Sequence, residues 1–208
     1  MAPIRTAIIG LSSSAATSWA SAAHLPYLLS PRGLERFRIV ALCNSSVEAA
    51  QAAIKHYGLP SDTKAYGDPE ALAADQNVEL VVCNTRVDRH YETIYPSVKA
   101  GKAVFSEWPL AHNVAKVREL VELAKTSGSK TAVGTQGRLL PLALTIRDVI
   151  SEGRIGQVLS SEARAAGGSV DRTTLSKGIA YFTQREIGGN VFTIGFGHRK
   201  LSRWGFPP

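Results

Sequence analysis

Cysteine and methionine are nearly absent: the 208 residues include 2 cysteines and 1 methionine. Two cysteines are too few for a disulfide scaffold, and Cys43 and Cys83 lack the spacing of a metal site. Both end apolar, strand-like runs, where small thiols tend to be buried, so a reducing, cytoplasmic setting is the expectation. No segment approaches the roughly 18 consecutive apolar residues of a membrane span. The start of the chain has no basic region leading into a long apolar run, so a secretory leader is not expected either. The chain has no basic stripe, arginine-rich helix or aromatic-interleaved tract. Its 24 Lys and Arg against 17 Asp and Glu give a net charge of +7, scattered except for Arg199, Lys200 and Arg203. Such a distribution favours small anionic ligands over direct contact with nucleic acid. Neither a Ser-His-Asp arrangement nor metal-ligand spacing is present, and no metal is expected.

What is present is a repeated alternation of strand and helix. Ile4 to Ile9 reads as a buried strand, Gly10 turns it, and Ser12 to Ala15 opens a helix continuing to Leu29. Arg38 to Cys43 is a second strand, followed by a helix through Ala49, Ala53 and Tyr57 that Asn44 or Ser45 can cap. Asp68 caps a short helix. Val78 to Cys83 is an almost unbroken apolar run, the pattern of a parallel strand covered on both faces. A helix from Asp88 to Val98, a short strand Ala103 to Phe105, a helix capped by Asn113 and a strand from Thr131 to Gly134 complete the series. The alternation predicts an α/β fold, a doubly wound parallel sheet of the Rossmann type, over residues 1–136. After Gln136-Gly137-Arg138 the pattern changes. Leu139 to Ile150 is amphipathic, and from Val158 the residues alternate. Residues 137–208 read as the start of an α+β substrate or oligomerisation domain with a mostly antiparallel sheet, begun but not complete.

In a doubly wound sheet, ligands bind beyond the carboxyl ends of the strands. Gly10 to Ser14, Asn44 to Ser46, Asn84 to His90 and Glu107 to Pro109 all fall there and should line one crevice. The first of these is an incomplete dinucleotide fingerprint, with Ser12 at the second glycine position and Ala15 at the last. The candidate cofactor-binding residues are Gly10, Leu11, Ser12, Ser13, Ser14, Asn44, Ser45, Asn84, Thr85, His90, Glu107, Trp108 and Gln136. The expected cofactor is NADP or NAD. An NAD site places a carboxylate after the second strand, whereas Asn44, Ser45 and Ser46 are neutral and tolerate a 2′-phosphate, although no arginine follows at once to bind it.

On Gly10-Leu11-Ser12, Trp19-Ala20, His90-Tyr91-Glu92, Phe105-Ser106-Glu107-Trp108, Gln136-Gly137-Arg138, Ile155-Gly156 and Gly195-Phe196-Gly197-His198, the chain resembles the glucose-fructose oxidoreductase and inositol dehydrogenase superfamily. Within it the likeness is to the fungal Gal80-like branch. The resemblance implies a dinucleotide-binding domain followed by a domain that carries substrate and often the oligomer contact. It also implies hydride transfer between nicotinamide and a sugar, polyol or other hydroxy or carbonyl compound. The family's Glu-Lys-Pro lysine, which sits beside the nicotinamide, is Trp108 here, and a later acidic position is Ile194. His198 is retained and is the candidate catalytic acid-base group. The alternative is a non-catalytic, nucleotide-sensing regulator that acts through a protein partner, in which case the nucleus joins the cytoplasm as a location.

Overall fold

The computed structural model describes residues 2–15, 17–162, 173–190 and 193–194. Six parallel strands form one sheet: β1 (Ile4–Ile9), β2 (Phe37–Cys43), β3 (Lys64–Tyr66), β4 (Leu80–Cys83), β5 (Ala103–Glu107) and β6 (Thr131–Gly134), in the order β3-β2-β1-β4-β5-β6. The chain moves outward from β1 to one edge and then returns to β4 on its other side. The strand order therefore reverses between β1 and β4, and the loops at their carboxyl ends diverge to leave a crevice.

Both faces of the sheet are covered, which is why the central strands are apolar without alternation. Ala7, Ile9, Val81 and Cys83 pack with Leu72, Ile94, Val98 and Leu120. These come from α4 (Pro69–Ala74), α5 (Val87–Lys99) and α6 (Val114–Ser127). On the other face Ile8, Ile39 and Leu42 meet Ala20, Leu25, Leu28, Ala50 and Ala53. The elements there are a π-helical turn (Ala20–His24), α1 (Leu25–Leu28) and α3 (Val47–His56), while α2 (Pro31–Leu34) leads into β2. Cys43 and Cys83 are free and buried; burial pushes the Cys43 thiol up to about 12.

Helix ends follow the side chains that satisfy their first N–H groups. Asp68 accepts from Glu70 and Ala71, and Asn113 accepts from Lys116 at 2.9 Å. The cap of α3 is neither Asn44 nor Ser45. Ser46 Oγ accepts from the Ala49 N–H at 3.1 Å, and Asn44 is engaged elsewhere.

A larger difference concerns the segment after β1. Ser12 to Ala15 does not open a helix; among the described residues, helical structure is next seen from Trp19 into the π turn. Serine side chains compete with the backbone for hydrogen bonds, and here Ser12 Oγ accepts from the Ser14 N–H at 3.2 Å, a local turn in place of the first helical one. Beyond β6 come a 3-10 turn (Gln136–Leu139), α7 (Pro141–Ser151) and two further 3-10 turns (Lys177–Thr183 and Arg185–Ile187). Among the described residues no strand follows β6, and the alternating segment after Val158 falls partly on residues outside them. No helix among the described residues is long and apolar enough to cross a membrane.

Candidate functional site

Backbone hydrogen bonds tie the carboxyl ends of β1 to β4 together on both sides of the point where the strand order reverses, and tie β2 to β3 beyond it. The Gly10 N–H donates to the Cys43 carbonyl at 3.1 Å, the Asn84 N–H to Ile9 at 2.9 Å, and the Asn44 N–H to Tyr66 at 3.0 Å. Gly10 has φ +90°, a left-handed conformation, and a Cβ there would lie 3.1 Å from the backbone of Asn84 and Thr85. Glycine at this position therefore permits both the turn and the close approach.

Two crevices open from this junction. One, of about 500 Å³, runs between Ser12 and Ser14, Asn44 and Ser45, and Arg89 of α5. The other, of about 830 Å³, runs between Trp19, Asn84, Arg86 and the Lys177–Gln184 segment. Gly10 and Thr85 belong to the walls of both. The arrangement is a groove in two halves that meet at Gly10 and Thr85.

The walls carry polar groups without protein partners. Asn44 Oδ1 and both amide atoms of Asn84 are buried and accept or donate no hydrogen bond. Buried polar atoms in native proteins are nearly always satisfied, so a groove with such an amide in each half suits a ligand rich in hydroxyl and amide groups. A dinucleotide meets that requirement. Arg89, absent from the sequence neighbourhood of β2, is brought to the same crevice as Asn44 and Ser45 by α5, where it pairs with Glu92 at 2.8 Å.

Not every candidate residue presents its side chain to the groove. Leu11 is fully buried in the core beneath the loop, so only its backbone could face a ligand. His90 is also buried, with Nδ1 2.8 Å from the Pro109 carbonyl and Nε2 2.7 Å from the Thr85 carbonyl; burial lowers its pKa below the ordinary histidine value. Its ring connects the β4–α5 loop to the cis Trp108–Pro109 turn from behind. Ser13 is exposed on the loop. His198, with Gly195 to Gly197, lies outside the described residues.

The candidates Glu107 and Trp108 at the end of β5 and Gln136 in the turn after β6 line neither crevice; Glu107 and Gln136 meet beside them, and the structure adds His24. The Glu107 carboxylate lies 2.5 Å from His24 Nε2 and accepts from Gln136 Nε2 at 2.8 and 3.0 Å. Burial opposes ionisation of Glu107, but hydrogen bonds from His24, Gln136 and Trp19 and the attraction of His24 hold its carboxyl below the usual range. Gly134 makes room for it, since a Cβ there would lie 2.8 Å from Glu107 Oε2. Trp108 donates its indole N–H to the Thr193 carbonyl at 2.8 Å, fastening a late segment to the β5 loop. Gly188 of that segment crosses so near His112 that a Cβ would lie 2.5 Å from its Cα. Nothing in the local sequence of His24 marked it, because its partner is 83 residues away.

Residues 4–135 match the model of an oxidoreductase family with an NAD-binding Rossmann fold, and residues 141–200 match that of the Gal80p C-terminal domain. The dehydrogenase aclE of Aspergillus oryzae is 31% identical over 195 residues, which cover 94% of this chain and 52% of the relative. The galactose/lactose metabolism regulatory protein GAL80 of Saccharomyces cerevisiae is 30% identical over 203 residues, 95% of this chain and 46% of the relative. A crystal structure of a super-repressor mutant of Gal80p from S. cerevisiae superposes with a TM-score of 0.83 at 29% identity, covering 95% of this chain and 51% of that one. The chain thus spans about half the length of these relatives. With its Gly10 turn, reversed strand order and matching first 135 residues, the chain belongs to the NAD-binding Rossmann-fold oxidoreductase family that includes glucose-fructose oxidoreductase and inositol dehydrogenase.

Proposed function

We propose that the groove binds one NADP or NAD molecule. In this reading the pyrophosphate sits at Gly10 and Ser12 to Ser14, the adenosine half beside Asn44 and Ser45, and the nicotinamide half beyond Asn84 and Thr85 toward Glu107, Trp108 and Gln136. The observation that carries it is the set of unsatisfied amide atoms, Asn44 Oδ1 and both of Asn84, on two crevices that meet at a left-handed glycine. The neutral Asn44-Ser45-Ser46 run and Arg89 in the same crevice favour the 2′-phosphorylated cofactor. When bound, the nicotinamide supplies hydride exchange with a hydroxyl- or carbonyl-bearing carbon of a sugar, polyol or related compound.

For the protein's own residues, Glu107 is an ionised acceptor held by His24 and Gln136, and Trp108 is an apolar wall whose N–H is engaged by Thr193. A tryptophan does not exchange a proton with substrate as a lysine can, so acid-base work falls to His198. Residues 1–136 form the cofactor domain in this proposal, and residues 137–208 contribute to substrate binding or to association with a second copy. The groove is tested by Ser12→Glu, which places a negative charge beside the pyrophosphate. NADPH affinity should fall at least tenfold in a calorimetric titration, and unchanged affinity would place the phosphates elsewhere.

A second reading rests on Trp108 and on the similarity to Gal80 over most of the chain. A nicotinamide site without its lysine, covered by a segment tied to Trp108, suits a protein that reports cofactor occupancy to a regulatory protein partner. Under that reading the protein works in the cytoplasm and nucleus of a fungal cell. A pull-down with and without NADPH that recovers no cofactor-dependent partner counts against it.

A further inference from the structure

We infer that Tyr57 and Asn44 are positioning residues that aim the backbone N–H groups of the Ser12 loop at the cofactor's pyrophosphate, in place of the helix N-terminus that usually does so. The inference rests on the cofactor reading above.

A Rossmann phosphate site has two usual supports: a glycine at the second fingerprint position, and a helix that begins at once and directs free N–H groups outward. This chain has Ser12 for the glycine, and among the described residues Ser12 to Ala15 are not helical, helical structure following only from Trp19. The loop needs another source of orientation. The Tyr57 hydroxyl donates to the Ser12 carbonyl at 2.9 Å, and Asn44 Nδ2 donates to the Leu11 carbonyl at 2.9 Å. Two consecutive carbonyls are thereby held by side chains from the end of α3 and the end of β2.

In a trans peptide the N–H points opposite to the C=O of the same plane. Drawing the Leu11 carbonyl toward Asn44 turns the Ser12 N–H the other way, and drawing the Ser12 carbonyl toward Tyr57 does the same for the Ser13 N–H. A carbonyl oxygen facing a phosphate would repel it; with both carbonyls fixed, the loop offers donors. The Ser12 hydroxyl, 3.4 Å from that of Ser14, adds to the same surface. Tyr57 also packs against the Ile8 and Leu42 core and stands edge-on to His56 with centroids 4.7 Å apart, so its hydroxyl is presented from a fixed ring.

The test is Tyr57→Phe, which keeps the ring and removes the donor. Wild type and variant are titrated calorimetrically with NADPH, with ADP-ribose, which carries the pyrophosphate, and with adenosine 2′-monophosphate, which does not. The variant should bind NADPH and ADP-ribose about tenfold more weakly, with adenosine 2′-monophosphate unchanged. Equal NADPH affinity in the two proteins, or the same loss for all three ligands, overturns the inference, because a generally loosened crevice does not discriminate among them. Asn44→Ser, too short to reach the Leu11 carbonyl, is a second arm: because Asn44 also lines the adenosine crevice, ADP-ribose binding must fall by more than adenosine 2′-monophosphate binding, and equal losses overturn its positioning role. A wild type that binds none of the three refutes the cofactor reading itself, whereas normal wild-type binding with an indifferent Tyr57→Phe refutes only the positioning role.

Discussion

Glu107 is where burial, charge and hydrogen bonding meet most closely in this molecule. Its carboxyl is held below the ordinary range in the folded protein despite burial. A depressed folded pKa stabilises the fold fully above the unfolded value of about 4.3, and that stabilisation is lost as pH falls through the folded pKa. Denaturant unfolding measured from neutral pH downward should therefore show a loss of stability below about pH 5. In Glu107→Gln that loss should be smaller and stability at neutral pH lower; superimposable pH profiles would show that the His24 and Gln136 contacts contribute nothing. Glu107 was legible from its place at a strand end. His24 and the fit of Gly134 against the carboxylate were not, because both are long-range contacts with no local pattern.

Among the elements, the long ones were legible and the short ones were not. The α6 helix announces itself by Val117, Leu120, Val121 and Ala124 at helical spacing and by Asn113 at its start, and β4 by its apolar run. By contrast β3 is Lys-Ala-Tyr, an edge strand without enough buried positions to leave a period. The sequence after β1 predicts a helix from Ser12, but Ser12 to Ser14 form a local turn and helical structure is next seen leading into a π turn. The α3 cap gives this scale its prediction. Ser46→Ala should lower stability by about 1 kcal/mol, while Ser45→Ala should leave it within about 0.5 kcal/mol; thermal or denaturant unfolding of the two variants separates them. Equal effects would mean that the Ser46 to Ala49 hydrogen bond does not hold the helix start.

For the whole molecule, the six-stranded order turns a weak fingerprint into a groove. The ends of β1, β2 and β4, far apart in sequence, meet for a topological reason, the reversal between β1 and β4, whereas Glu107 to Pro109 after β5 line neither crevice. The division of that groove into two crevices sharing Gly10 and Thr85 was not legible, since the Lys177–Gln184 segment reaches it from a distant part of the chain. Nor was the exposure of α7, whose Leu142 is 71% exposed; its period shows an apolar face without showing what covers that face.

The central claim is that this groove holds one dinucleotide across the junction at Gly10. Calorimetric titration of the purified chain with NAD, NADH, NADP and NADPH tests it most directly. The account predicts saturable binding at one site per chain, tighter for the 2′-phosphorylated forms, whereas the absence of binding heat with all four would contradict it.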